Sequence, residues 1–149
     1  MKVVVDTNIV FSAILGNTGT IGDLLLNSGG VFEFCTCELL RVELTAHQER
    51  MQRIAGYSAA TLAAVQRQIL RPLTFIEEGT IPFAYWQQAL PIVRDVDMDD
   101  IAFVALADFL SARLWTGDRR LLNGIRVKGY PNAVSTDELL ALRQQRERQ

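Results

Sequence analysis

Lys2-Val3-Val4-Val5-Asp6-Thr7-Asn8 is the stretch on which the fold turns. A short β-branched run that stops at an acidic turn has the pattern of a parallel strand buried on both faces. The apolar residues from Ile9 to Leu15 then predict a helix. A strand that hands over at once to a helix opens an α/β chain, and the same alternation continues downstream.

After the Gly16-Asn17-Thr18-Gly19 break, Thr20 is placed to cap a helix running to about Asn27, where Ser28-Gly29-Gly30 stops it. Val31 to Thr36 reads as the second strand. Cys37 to about His47 reads as a helix, with Leu39, Leu40, Val42 and Leu44 at its apolar positions. Gln48 to Ile54 and Ser58 to Leu70 form two helices broken at Gly56, the second capped by Ser58. Leu73 to Ile76 is a short extended piece. Phe83 to Val93 is helical in spacing, with Pro91 set to kink or split it. A helix apolar almost all round starts at Asp99 or Asp100 and runs to Leu110, so it should be buried. Arg113 to Thr116 is a third strand, Arg119 to Leu122 a short helix and Val134 a fourth strand; Thr136-Asp137-Glu138 opens a terminal helix. The expectation is one domain over residues 1–149, built on a mostly parallel sheet covered on both faces.

Of the 149 residues, 49% are hydrophobic and 21% charged, which fits a globular chain with a real core and excludes a disordered one. No apolar stretch has the length of a bilayer span, and Met1-Lys2 leads straight into the first strand without the apolar segment of a signal peptide. The expected location is the cytoplasm, with no membrane partner. Cys35 and Cys37 stand too close for an unstrained disulfide, and the single His47 adds too few ligands for zinc. Both read as small core residues. The net charge of −2 argues against a broad nonspecific nucleic-acid patch, although metal bound at an acidic cluster would reverse the local sign.

Four acids stand out because each is framed by core-forming residues: Asp6, Glu43, Asp100 and Asp118. In an open parallel sheet, ligands gather beyond the carboxyl ends of the strands. Asp6 and Asp118 each follow a strand, Asp100 lies in the first turn of a buried helix, and Glu43 must reach in from the flank of another. Carboxylates at one mouth repel unless a cation gathers them, and an all-oxygen set suits Mg²⁺ or Mn²⁺. Such a cluster orients a phosphate and activates water against a phosphodiester. Simpler roles compete: Asp6 as a helix cap, Asp118 as a turn residue, Glu43 as a solvated helix face.

Asp6-Thr7-Asn8, Glu43 after Leu39-Leu40, Asp100 before Phe103-Val104-Ala105-Leu106-Ala107, and Trp115-Thr116-Gly117-Asp118 together resemble the PIN-domain ribonucleases, which include the VapC toxins of toxin–antitoxin pairs. The resemblance implies a three-layer α/β/α sandwich with a parallel sheet of four or five strands. It also implies Mg²⁺- or Mn²⁺-dependent endonucleolytic cleavage of RNA, homodimers and an antitoxin partner. On this resemblance Asp6, Glu43 and Asp100 match the three family acids and Asp118 the more variable fourth, with Asp99 in reserve for the third position. Asn8 and Thr116 match the polar residues that support the cluster by hydrogen bonds. Arg119 and Arg120 are placed to hold an RNA phosphate or simply to start a solvated helix. Two rival functions remain: an aspartyl-phosphate phosphohydrolase, which would want a second acid where Asn8 stands, and a degenerate PIN module that binds RNA or protein without cutting.

Overall fold

In the computed structural model, which describes residues 1–16 and 19–149, the opening valines form β1 (Lys2–Val5) at the centre of the sheet. Part of the expected break, Asn17-Thr18, lies outside the described residues. β2 (Glu33–Cys37) and β4 (Arg113–Trp115) flank β1, and β3 (Thr74–Ile76) and β5 (Ala133–Val134) take the edges. Among the described residues the sheet has five strands in the order β3-β2-β1-β4-β5, and each neighbouring pair is parallel. Val4 lies in register with Cys35 on one side and Leu114 on the other.

Side chains alternate across a strand, so β1 feeds two cores at once. Val3 and Val5 join the apolar cluster under α1 (Thr7–Leu15), α2 (Thr20–Leu26), α3 (Leu39–Ala46), α4 (Gln48–Ala55), α5 (Ala59–Leu70) and α9 (Thr136–Glu147). Val4 points the other way, into the cluster under α6 (Phe83–Val93), α7 (Ile101–Phe109) and α8 (Arg119–Val127). All three valines are wholly buried, each contributing roughly 1.5–3 kcal/mol of transfer free energy. α7 carries six consecutive buried residues from Ala102 to Ala107, as its all-round apolarity predicts. The result is the expected three-layer α/β/α sandwich.

Several boundaries differ from expectation for local reasons. Val31 and Phe32 donate their N–H groups to the Ser28 carbonyl in a turn, so β2 begins only at Glu33 and extends to Cys37, which pairs with Ile76. The cap of α2 is Gly19 rather than Thr20, with no side-chain bond. A 3-10 turn over Met98–Asp100 precedes α7, because the Asp97 side chain accepts from the Asp99 N–H at 3.0 Å. Pro91 falls in the last turn of α6 and does not split the helix. Ser58 caps α5 as expected, and Gly56 takes the left-handed conformation (φ 70°) that ends α4. Cys35 and Cys37 are buried free thiols; burial, with the Glu78 carboxylate beside it, pushes Cys37 up to about 12, leaving it an inert core group.

Candidate active site at the carboxyl edge of the sheet

The chain leaves β1 to build β2 and β3 on one flank, then returns to lay β4 and β5 on the other. Strand order therefore reverses between β1 and β4, where an open α/β sheet leaves a crevice. Asp6 stands at the end of β1 and Asp118 three residues beyond β4. The Asp6 N–H donates to the Trp115 carbonyl at 3.4 Å, stitching the two strand ends together.

Asp6 does two jobs. One carboxylate oxygen, Oδ1, accepts the Ile9 N–H at 3.0 Å and caps α1. The other, Oδ2, is buried with no hydrogen-bond partner in a residue only 1% exposed. Burial pushes the Asp6 carboxyl up from 3.8 to about 6, and the Asp118 and Glu43 charges add to this. The neighbouring Thr116 hydroxyl and the Ile9 N–H act in the opposite direction without satisfying Oδ2. Asp118 repeats the pattern on α8: its Oδ1 accepts from Arg120 N–H at 2.9 Å and Leu121 N–H at 3.2 Å. Its own N–H donates to Thr116 Oγ1 at 3.1 Å, so the buried Thr116 links the two strand-end acids.

Asp100 is the electrostatic centre of the group. Its burial is partial, yet its carboxyl rises to about 8, first through lost hydration and then through Asp6, Asp97, Asp118 and Glu43. The charges of the other three predicted acids each add to this rise, so all four lie within electrostatic reach of Asp100. Glu43 enters from α3, half-buried and also shifted upward by burial and by the Asp99 and Asp97 charges, against a lowering contact with the Thr7 hydroxyl. Asp99 is exposed and bears on Glu43, whereas Asp100 sits among the strand-end acids.

The remaining expected residues divide. Asn8 is exposed and, among the described residues, makes no hydrogen bond to the acids. Thr7, one residue earlier, is buried with its hydroxyl unpaired, close enough to Glu43 to oppose the rise of that carboxyl. Arg119 and Arg120 are exposed at the start of α8, with Arg119 lining a small cavity of about 220 Å³ beside Thr116. Asp97 and Thr7 are the members that sequence reasoning left out of the site. Both adjoin predicted residues, the only signal they carried. Among the described residues no three Asp, Glu, His or Cys side chains stand in a chelating arrangement, so the acids share a mouth without closing on one point.

A doubly covered parallel sheet with carboxylates at its switch point defines a class of α/β proteins with an acidic ligand crevice. The profile of the PIN domain matches residues 4–145, and the chain belongs to that family, whose members are generally nucleases. Among solved structures it is similar to VapBC2 from Rickettsia felis bound to a DNA fragment from their promoter, at 16% identity and a TM-score of 0.65, covering 91% of this chain and 97% of that one. It is also similar to PAE2754 from Pyrobaculum aerophilum, at 14% identity and a TM-score of 0.65, covering 95% and 89%. At these identities the likeness is one of fold. No curated protein sequence matches the chain.

Proposed function

We propose that this chain is a metal-dependent endoribonuclease whose site is formed by Asp6, Glu43, Asp100 and Asp118. The carrying observation is the buried, unpaired Oδ2 of Asp6 within electrostatic reach of Asp100, whose charge is resisted by every other acid in the group. Family membership supports the same reading. The donor set is all oxygen and fits Mg²⁺ or Mn²⁺. Asp6, Glu43, Asp100 and Asp118 would hold the ion, which supplies charge neutralisation at the phosphate and a water of lowered pKa.

The chain's own residues do the positioning. The α1 cap fixes one Asp6 oxygen and leaves the other without a partner. Thr116 ties Asp118 to the end of β4. Thr7 favours the ionised form of Glu43, the form able to bind a cation. Arg119 and Arg120, exposed at the rim, are placed to meet the phosphate backbone of RNA. We read residues 1–149 as one domain that acts in the cytoplasm as a homodimer and is held in check by an antitoxin-type protein.

Asp6→Asn and Asp100→Asn, folded and pure, should cleave RNA at least about a hundredfold more slowly than the parent in Mn²⁺. They should also lose the Mn²⁺-dependent rise in melting temperature. Unchanged cleavage by both variants would overturn the reading. The second reading, a PIN module that binds RNA or protein without cutting, is favoured by the absence of a chelating trio among the described residues. Titration of the parent with Mn²⁺ separates the two, since a non-cutting module of this kind shows no saturable binding.

A further inference from the structure

We propose that a strip beside Glu43, formed by Phe11, His47 and Arg50, holds one unstacked nucleotide of a single-stranded RNA next to the bond to be cut. The inference rests on the nuclease reading and adds to it the residues that seat a base beside the cut. A cavity of about 400 Å³ runs from Asn8 and Glu43, at the edge of the acids, along α1 to Arg50 and Ile54 on α4. His47 lies one turn beyond Glu43, its N–H donating to the Glu43 carbonyl at 3.1 Å, and it joins α3 directly to α4. Acid, imidazole and guanidinium thus follow one another along the same wall.

Each part of the strip matches a part of a nucleotide. The Phe11 and His47 rings meet edge to face at 5.6 Å, leaving an aromatic corner on which a base can stack. Phe11, Leu15 and the buried Met51 make the floor apolar. Arg50 is exposed and belongs to none of the ion pairs among the described residues, so its guanidinium is available to a phosphate. The volume lies near the small end of ligand cavities, roughly 300–1,000 Å³, which suits one nucleotide better than a length of helix. A base reaches such a corner only after leaving its stack, so RNA already unpaired is favoured over a duplex, which must first be unstacked.

The test uses the full chain in Mn²⁺ with a short unstructured RNA oligonucleotide, the same strand in duplex, and a set carrying one abasic residue at successive positions. The parent should cut the single strand faster than the duplex. One abasic position beside the cut should raise KM by about fivefold or more. That penalty should disappear in His47→Ala and return in His47→Phe, while Arg50→Ala lowers the slope of log affinity against log salt by about one. Matching melting curves keep folding out of the comparison. A flat abasic scan in an active parent, or a penalty that persists in His47→Ala, overturns the strip and leaves the nuclease reading standing. A parent that cleaves no RNA sinks both. Variants that cut normally but no longer bind a partner polypeptide would make the strip a protein seat, and the proposal would be wrong.

Discussion

Carboxylates on the outer helices and carboxylates at the switch point live under opposite rules. Asp23 on α2 receives Arg143 Nη2 from α9 at 2.7 Å, and Glu138 accepts Arg126 Nη2 through both oxygens at 2.6 and 2.8 Å. Hydrogen bonds from these arginines hold both acids below their ordinary values. Asp6 and Asp100 meet no arginine or lysine in any ion pair among the described residues, and both are pushed upward. The difference separates charges that close the fold from charges left open for something the chain does not supply. Buried carboxylates without a counter-charge destabilise the protein that carries them, the pattern of a functional site rather than a structural one.

The largest expected break in this comparison is the loss of cleavage in Asp6→Asn and Asp100→Asn described above. The same acids predict a pH dependence of stability in metal-free protein. A carboxyl whose folded pKa is raised binds more protons folded than unfolded, so its stabilising effect is full below 3.8 and is lost as pH rises, through about 6 for Asp6 and about 8 for Asp100. Asp6 alone corresponds to roughly 3 kcal/mol. Asp23 and Glu138 act with the opposite sign: their contribution is present above their ordinary values and fades as pH falls through their lowered ones. Thermal melts should therefore show metal-free protein losing stability between about pH 4 and pH 8. Saturating Mn²⁺ should flatten that slope by stabilising the ionised acids, and a slope unaltered by both Mn²⁺ and Asp100→Asn would remove the contrast.

Much of this contrast was legible in the residues, and where it was not the reason is tertiary. Lys2-Val3-Val4-Val5-Asp6 announces a buried strand and its terminal acid, because β-branched packing and an acidic turn are both local signals. Asp118 is legible in the same way. α8 is not: the short helix expected to end at Leu122 runs on through Gly124 to Val127, and a Cβ at Gly124 would come within 2.7 Å of Val96, a close packing that the glycine permits. Thr7 and Asp97 gain their places beside Glu43 and Asp100 only when α1, α3 and the turn before α7 are assembled. The Arg143–Asp23 pair joins residues 120 positions apart, a contact that no local pattern carries.

That pair supplies the next test. Arg143 also donates to Ser28 Oγ at 3.2 Å and lies 3.9 Å from Glu147, and its side chain is only 13% exposed, so Arg143→Ala removes two ion pairs, a hydrogen bond and buried stem together. Urea melts should record a loss of about 1–2 kcal/mol, with Mn²⁺-dependent cleavage by the folded fraction unchanged. A comparable loss of cleavage would mean that the outer pairs and the switch-point acids are coupled, and the division between them would fail.

Arg126→Ala should do least. Its partner Glu138 is mostly exposed and keeps its place in the Ser135 capping box, in which the Ser135 N–H donates to Glu138 Oε1 at 3.1 Å and the Glu138 N–H to Ser135 Oγ at 3.2 Å. Solvent screening leaves such a pair worth roughly 0.2–1 kcal/mol, to which Arg126 adds one bond to the Ala133 carbonyl at 3.0 Å on the edge strand. Replacing Glu138 with Gln sharpens the point, since a glutamine can still close the capping box while losing the ion pair. If Glu138→Gln and Arg126→Ala cost the same in urea, the ion pair accounts for the effect. If Arg126→Ala costs more, the excess belongs to the tether on β5, the two-residue strand with the least pairing of its own.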